Sequence, residues 1–359
     1  MIKHSVLFNT PLLPWVLLKV FGKQARLWAR VGDGVVKCLV CNHECLLKPG
    51  SRGICGNYVN DNSVLVHLGY GRISAVESRP IEVKPLFHYW PNSTALTFSG
   101  WGCNFYCPWC QNHHLSFKHP DPSMPVVPPE SLVEQALRAG DEGVCASFNE
   151  PATLFDYLLE VFELASQRGL YSCIVTNGYF TISAVDSLVE AGCDGWSIDI
   201  KGWPGMKKPL SHVKHERVFE TARRVLDNGG HVEMVYLVVT GVNDSVECAE
   251  WIIKTHLDKL GPDVPLHVNR YYPSHAWTKP PTPVSKLMRI ASMARSEGVK
   301  FVYVGNLGDP ELESTRCPRC GKMLIYRIGY RVVKHVLSQD NRCPRCGEKI
   351  PIMGRIVQK

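Results

Sequence analysis

The chain has 359 residues, 45% hydrophobic and 20% charged, a composition ordinary for a soluble protein and long enough for one large core with small appendages. Its net charge of +7 is uneven: Ser314 to Lys359 carries eleven Lys/Arg against two Asp/Glu, leaving 29 basic and 31 acidic residues elsewhere. Eleven of the fifteen cysteines fall into three tight clusters, which excludes a secreted disulfide framework and points to metal ligands in a reducing, cytoplasmic compartment.

Residues 1–30 read as an N-terminal extension. The stretch "VLFNTPLLPWVLLKVFG" from Val6 is apolar but broken by Pro11 and Pro14, carries Lys19, and is too short to span a bilayer. No small-residue cleavage site follows it, so a packed extension is expected. Residues 31–94 read as a small β module holding Cys38, Cys41, Cys45 and Cys55. Four thiolates close in sequence suit a structural zinc or an auxiliary 4Fe–4S cluster, and the knuckle-like "PGSRG" turn from Pro49 leans towards zinc. His43 is expected to stand behind the four thiolates.

From residue 95 to 313, β-rich runs alternate with helical patterns. The predicted strands are "ALTFS" (Ala95), "GVCASF" (Gly143), "YSCIVT" (Tyr171), "DGWSIDI" (Asp194), "HVEMVYLVV" (His231), "PLHVNRY" (Pro265) and "KFVYV" (Lys300). Helices such as "PESLVEQALRAG", "LFDYLLEVFELASQRG" and "ERVFETARRVLDNG" lie between them, ending in glycine stops. This alternation implies an α/β fold with a parallel sheet. Polar motifs follow the first four strands: "GCNFYC", "NEP", "TNG" and "DIKG". A barrel gathers its strand ends at one mouth, so a full or partial (β/α) barrel of TIM type is predicted. The proline-rich "KHPDPSMPVVPPE" from Lys118 reads as a flap beside that mouth. Cys145, Cys173, Cys193 and Cys248 lie singly in apolar surroundings and read as inert core.

The segment "GWGCNFYCPWCQN" places Cys103, Cys107 and Cys110 at C-x3-C-x2-C. Three thiolates can hold three corners of a 4Fe–4S cube and leave one iron open to a substrate or cofactor. The rival is a three-cysteine zinc site borrowing His113 or His114. Residues 314–359 form a basic tail in which "CPRCG" occurs twice, bringing Cys317, Cys320, Cys343 and Cys346 into a zinc-ribbon pattern. Its charge suits contact with nucleic acid or an acidic protein, but no aromatic stacking set accompanies it, which favours a structural cap.

C-x3-C-x2-C after a first barrel strand, with Trp109 before the last cysteine, is the signature of the radical S-adenosylmethionine (SAM) superfamily. The ordered motifs "CLVCNHECLLKPGSRGICGN", "PIEVKPLFHYWPNS", "GCNFYCPWCQN", "SFNEPATLFDY", "VTNGY", "SIDIKG", "GVNDS" and "YVGN" resemble the AmmeMemoRadiSam-system radical SAM enzymes, relatives of pyruvate formate-lyase activating enzyme. The resemblance runs from about Ala25 to the C-terminus. It implies that Cys103, Cys107 and Cys110 bind the cluster and that SAM chelates the open iron. Glu150, beside Asn149, would hold the SAM amino group, although Glu150 also suits a helix start before Pro151. Asp199 and Lys201 would line the SAM pocket or form a buried structural pair. Thr176 and Asn177 are further pocket residues or a strand-to-turn sequence. The activating enzymes' late histidine falls near Tyr271, Tyr272 and His275, where tyrosine takes its expected place.

The implied activity is reductive cleavage of SAM to a 5′-deoxyadenosyl radical that abstracts hydrogen from a small-molecule or protein substrate. The electron would come from a ferredoxin or flavodoxin. One alternative is an activase that installs a glycyl radical in a partner protein. Another is a nucleic-acid-binding zinc-ribbon protein with a degenerate barrel, against which the intact cysteine motif and Glu150 argue.

Overall fold

The computed structural model describes residues 22–207 and 209–358; the apolar stretch from Val6 lies outside the described residues. Seven strands run parallel in chain order: Thr94–Ser99, Gly143–Ala146, Tyr171–Thr176, Cys193–Ile200, His231–Val238, Leu266–Arg270 and Val302–Gly305. Each corresponds to a predicted strand. Ala75–Pro80 adds an eighth, antiparallel to the first, with Ala75 opposite Ser99 and Pro80 opposite Thr94. It was not predicted, because "AVESRP" is polar and half exposed, as an edge strand should be. The two edge strands of this sheet do not pair, so the sheet is a partial barrel.

Helices join the strands and cover the sheet, which accounts for strands buried on both faces, such as Gly143–Ala146. Helix ends follow local chemistry. Pro129 opens Pro129–Ala139 and Gly140 closes it at φ 72°, where an L side chain would be strained. Thr181 and Ser245 cap Ile182–Glu190 and Val246–Leu260 by accepting from Ala184 N and Cys248 N, each at 3.2 Å. Cys145, Cys173, Cys193 and Cys248 are fully buried, as expected of core thiols.

Two small antiparallel sheets precede the barrel, one of Trp28–Gly32, Val35–Cys38 and Leu46–Leu47, the other of Lys23–Gln24, Val64–His67 and Tyr58–Asp61. Their apolar residues join the main core, where Val36, Cys38, Cys41 and Tyr58 pack with barrel residues. The proline-rich loop is no free flap: Arg72, itself buried, donates to Asp121 O at 3.1 Å and Pro122 O at 3.0 Å, and Val127 N donates to Gly71 O.

The tail forms a third sheet of Thr315–Arg316, Met323–Ile328 and Arg331–His335. It sits beneath the barrel, sharing a core in which Phe87, Phe301 and Tyr303 meet Leu324, Ile325 and Ile350. "PLFHYW" lines this floor. His88 N donates to Glu233 Oε1 at 2.6 Å, while His231 and His267 bond the same carboxylate at 3.0 and 2.6 Å. Buried Arg327 reaches from the tail to Phe87 O at 2.6 Å and stands 3.7 Å from buried Glu82. Among the described residues, no helix is long and apolar enough to cross a membrane.

Candidate functional site

The four polar motifs meet at the carboxyl ends of the first four parallel strands. The loop after Thr94–Ser99 carries Cys103, Cys107 and Cys110; Cys107 is buried and the other two are half-buried. Phe105 N donates to Cys103 Sγ at 3.3 Å, a contact that favours a thiolate. After Gly143–Ala146 the chain turns through Phe148 at φ 65°, whose carbonyl accepts from Asn112 Nδ2 at 2.6 Å. Asn149 Nδ2 donates to Gly102 O at 2.9 Å, tying this second loop to the cysteine loop.

Glu150 is 3% exposed and organises the third loop. Its Oε1 accepts from Thr176 Oγ1 at 2.7 Å and from Ala152 N at 3.2 Å, and its Oε2 accepts from Asn177 N at 2.8 Å. The bond to Ala152 is the helix-start role foreseen in the sequence; those to Thr176 and Asn177 place it in the mouth as well. A carboxylate offers about four acceptor positions, so one on Oε2 stays available. Burial pushes the Glu150 pKa up to about 7, against the three hydrogen bonds and Lys201. A cationic ligand would relieve that cost.

Asp199 and Lys201 pair at 2.8 Å with side chains 24% and 20% exposed. The pair is half-buried at the carboxyl end of Cys193–Ile200. Against the effect of burial, Asp199 and then Cys107 hold Lys201 above the usual ammonium range. Burial pushes Cys107 up to about 12, with Lys201 opposing, and drives Cys103 well above the ordinary thiol range, with Glu150 adding to it. Such thiols keep their protons unless a metal displaces them. The donor set fits an iron–sulfur cluster: three thiols on one loop, a cation beside them, and a buried carboxylate with an acceptor to spare.

His113, the rival zinc ligand, bonds the Cys110 carbonyl at 3.2 Å and stacks on His275 at 4.3 Å between ring centroids. Tyr271 is buried, packing with Cys107 and Trp109, while Tyr272 is exposed. Ala276 N donates to Pro108 O at 2.9 Å, closing that loop over the cysteine motif.

Sequence reasoning missed Asn104. It lies inside "GCNFYC", is 1% exposed, and accepts from Asn177 Nδ2 at 2.7 Å while its carbonyl meets His43 Nε2 at 2.9 Å. Its signal was present as an amide between cysteines, but its partners come from two distant segments. In the tail, Cys317 and Cys346 sulfurs are 3.5 Å apart, Cys320 and Cys343 are 3.6 Å apart, and all four lie within 4.8 Å of one another. A tetrahedral ion with bonds of about 2.3 Å sets sulfurs about 3.8 Å apart, so this group can hold one metal ion.

Residues 99–252 match the Radical SAM superfamily. An uncharacterized protein of Methanocaldococcus jannaschii is 35% identical over 308 residues, covering 85% of this chain and 91% of that protein. A radical SAM methyltransferase from Sphaerobacter thermophilus is 16% identical, with a TM-score of 0.46 over 60% of this chain and 67% of its own. A domain of pyruvate-formate lyase-activating enzyme from Bacteroides vulgatus is 18% identical, with a TM-score of 0.39 over 46% of this chain and 99% of its own. Over residues 99–252, which hold the cysteine loop and Glu150, the chain carries a domain of the radical SAM superfamily.

Proposed function

We propose that the protein is a radical SAM enzyme of the AmmeMemoRadiSam type that abstracts hydrogen from its substrate. The observation that carries this is the convergence of Cys103, Cys107 and Cys110 with Glu150 at one mouth, tied together through Asn149, Thr176 and Asn177. Cys103, Cys107 and Cys110 would hold a 4Fe–4S cluster, and its open iron would bind SAM. When bound and reduced, that pair supplies a 5′-deoxyadenosyl radical for hydrogen abstraction.

The chain's own residues position and shield. Glu150 accepts from the SAM ammonium, a charge-assisted contact in a buried setting. Asn177 and Thr176 hold that carboxylate in place, and Asn149 fixes the cysteine loop against it. Lys201, paired with Asp199, balances the negative charge of the thiolates. Trp109, Tyr179, Met206 and Tyr271 pack around the cysteine loop and keep water out.

The domain division follows the same reading, a metal-binding module from residue 31, the barrel to 313 and a zinc-bearing tail at 314–359, except that Ala75–Pro80 joins the barrel sheet, so the first boundary at 94 moves ahead of that strand. Thiolate ligands in this number require a reducing compartment, so we place the protein in the cytoplasm with a ferredoxin or flavodoxin as electron donor. Anaerobically reconstituted protein with dithionite should convert SAM to 5′-deoxyadenosine and methionine. Cys103→Ala, Cys107→Ala and Cys110→Ala should each abolish this; undiminished turnover in any of them rejects the assignment.

A further inference from the structure

Cys38, Cys41, Cys45 and Cys55 line one cavity together with Asn104 and Ala152. Cys38, Cys41 and Cys55 are buried, and Cys45 is half-buried. Two of the three cysteine groups share a feature that the tail lacks. Among the described residues, the tail quartet is the group of three or more metal-ligating side chains whose donor atoms all lie within 4.8 Å; no three of Cys38, Cys41, Cys45 and Cys55 do so, nor do Cys103, Cys107 and Cys110. Sulfurs that share a single tetrahedral zinc stand about 3.8 Å apart. Sulfurs that each bind a different iron must stand further apart, because the cube lies between them.

We infer that Cys38, Cys41, Cys45 and Cys55 hold a second 4Fe–4S centre, in place of the zinc that their short spacing suggests, and that it exchanges electrons with the barrel centre. Asn104 supplies an independent observation. Its side chain is 1% exposed and lines the same cavity, and its Nδ2 has no hydrogen-bond partner. A buried amide donor without a partner, facing four thiols, suits a charged centre in that cavity.

The two cysteine segments are also interlocked. Tyr106 OH donates to Ile54 O, and Asn57 Nδ2 donates to Trp101 O, each at 2.8 Å. A Cβ on Gly102, at φ 83°, would lie 2.6 Å from Cys55 O, so only glycine allows the segments to approach this closely. Asn104 is bonded directly to Cys103. The wall of the four-cysteine cavity is therefore one residue from the barrel cysteines.

Four thiolates satisfy four irons, so this centre offers no iron to a substrate and is suited to one-electron exchange. One electron taken from a low-potential one-electron protein donor reduces it, and the same electron leaves for the barrel centre. No bond is made or broken and no proton is needed.

The test uses the full chain with Cys103, Cys107 and Cys110 all changed to alanine, reconstituted anaerobically with iron and sulfide. About four irons per chain should remain, with absorption that dithionite bleaches and an electron paramagnetic resonance (EPR) signal, alongside about one zinc. Colourless protein holding about two zincs overturns the inference. Should that variant not fold, Cys41→Ser with Cys45→Ser in the otherwise intact chain should lower iron from about eight to about four per chain with zinc unchanged. Loss of zinc with iron unchanged overturns it. Neither measurement involves SAM, so failure of the SAM reading would be seen separately.

Discussion

Glu150 accepts three hydrogen bonds from its own chain and keeps one acceptor position facing the mouth. Substitution by alanine removes that position and strands the Asn177 N–H and the Thr176 hydroxyl. Because the carboxylate touches no proposed iron ligand, Glu150→Ala should leave iron content unchanged while weakening SAM binding at least tenfold, a loss of about 1.4 kcal/mol or more. Calorimetric titration of SAM together with an iron assay checks this; unaltered SAM affinity would reduce Glu150 to a helix-start residue. The carboxylate was legible in the sequence through the family resemblance, and as a helix start through Pro151. Asn104 was not, since an asparagine has no signature until Asn177, His43 and Cys41 are brought to it. The Asp199–Lys201 pair was legible as a pair, while its partial exposure shows only in the structure.

At the scale of elements, helix Val246–Leu260 hands over to strand Leu266–Arg270 through His256, whose Nε2 bonds Val264 O at 3.0 Å. Burial lowers the His256 pKa to about 4, against the hydrogen bond to Val264. The folded state thus prefers neutral imidazole, while the unfolded chain takes a proton near pH 6.5. This contribution is fully present above pH 6.5 and is lost as pH falls towards 4, amounting to about 2 kcal/mol by pH 5. His256→Gln keeps a donor without titrating, so its urea stability should fall less than the parent's between pH 7 and 5, by about that amount. Parallel pH profiles would contradict the account. All seven parallel strands were legible from β-rich runs punctuated by turns, because buried strands leave an apolar imprint. Ala75–Pro80 left none, since its outer edge and half-exposed faces permit polar residues. "PLFHYW" was legible as a motif but not as a floor: its partners Glu233 and Arg327 are 145 and 240 residues away in sequence.

For the whole molecule, that floor makes the tail part of the barrel's support. Arg327 is almost fully buried between Phe87 and Glu82, and Tyr303 bonds both His88 at 2.6 Å and Thr315 at 2.8 Å. Arg327→Met keeps much of the side-chain volume but leaves Glu82 without its cation and the Phe87 carbonyl without its donor. Breaking such a buried pair costs about 3–5 kcal/mol, so the variant should unfold at clearly lower temperature, with barrel and tail melting together. A melting curve like the parent's would show that the tail is only attached. Above this floor, the mouth is closed on one side by the Cys38 segment and on the other by the loop carrying Tyr271 and Ala276. The central claim concerns what three cysteines leave undone at that mouth: one iron free to bind SAM. It is tested most directly by electron–nuclear double resonance on the reduced protein with SAM labelled with nitrogen-15 in its amino group and oxygen-17 in its carboxylate. The account predicts hyperfine coupling to both labels, lost in Cys107→Ala; a spectrum that SAM leaves unchanged would contradict it.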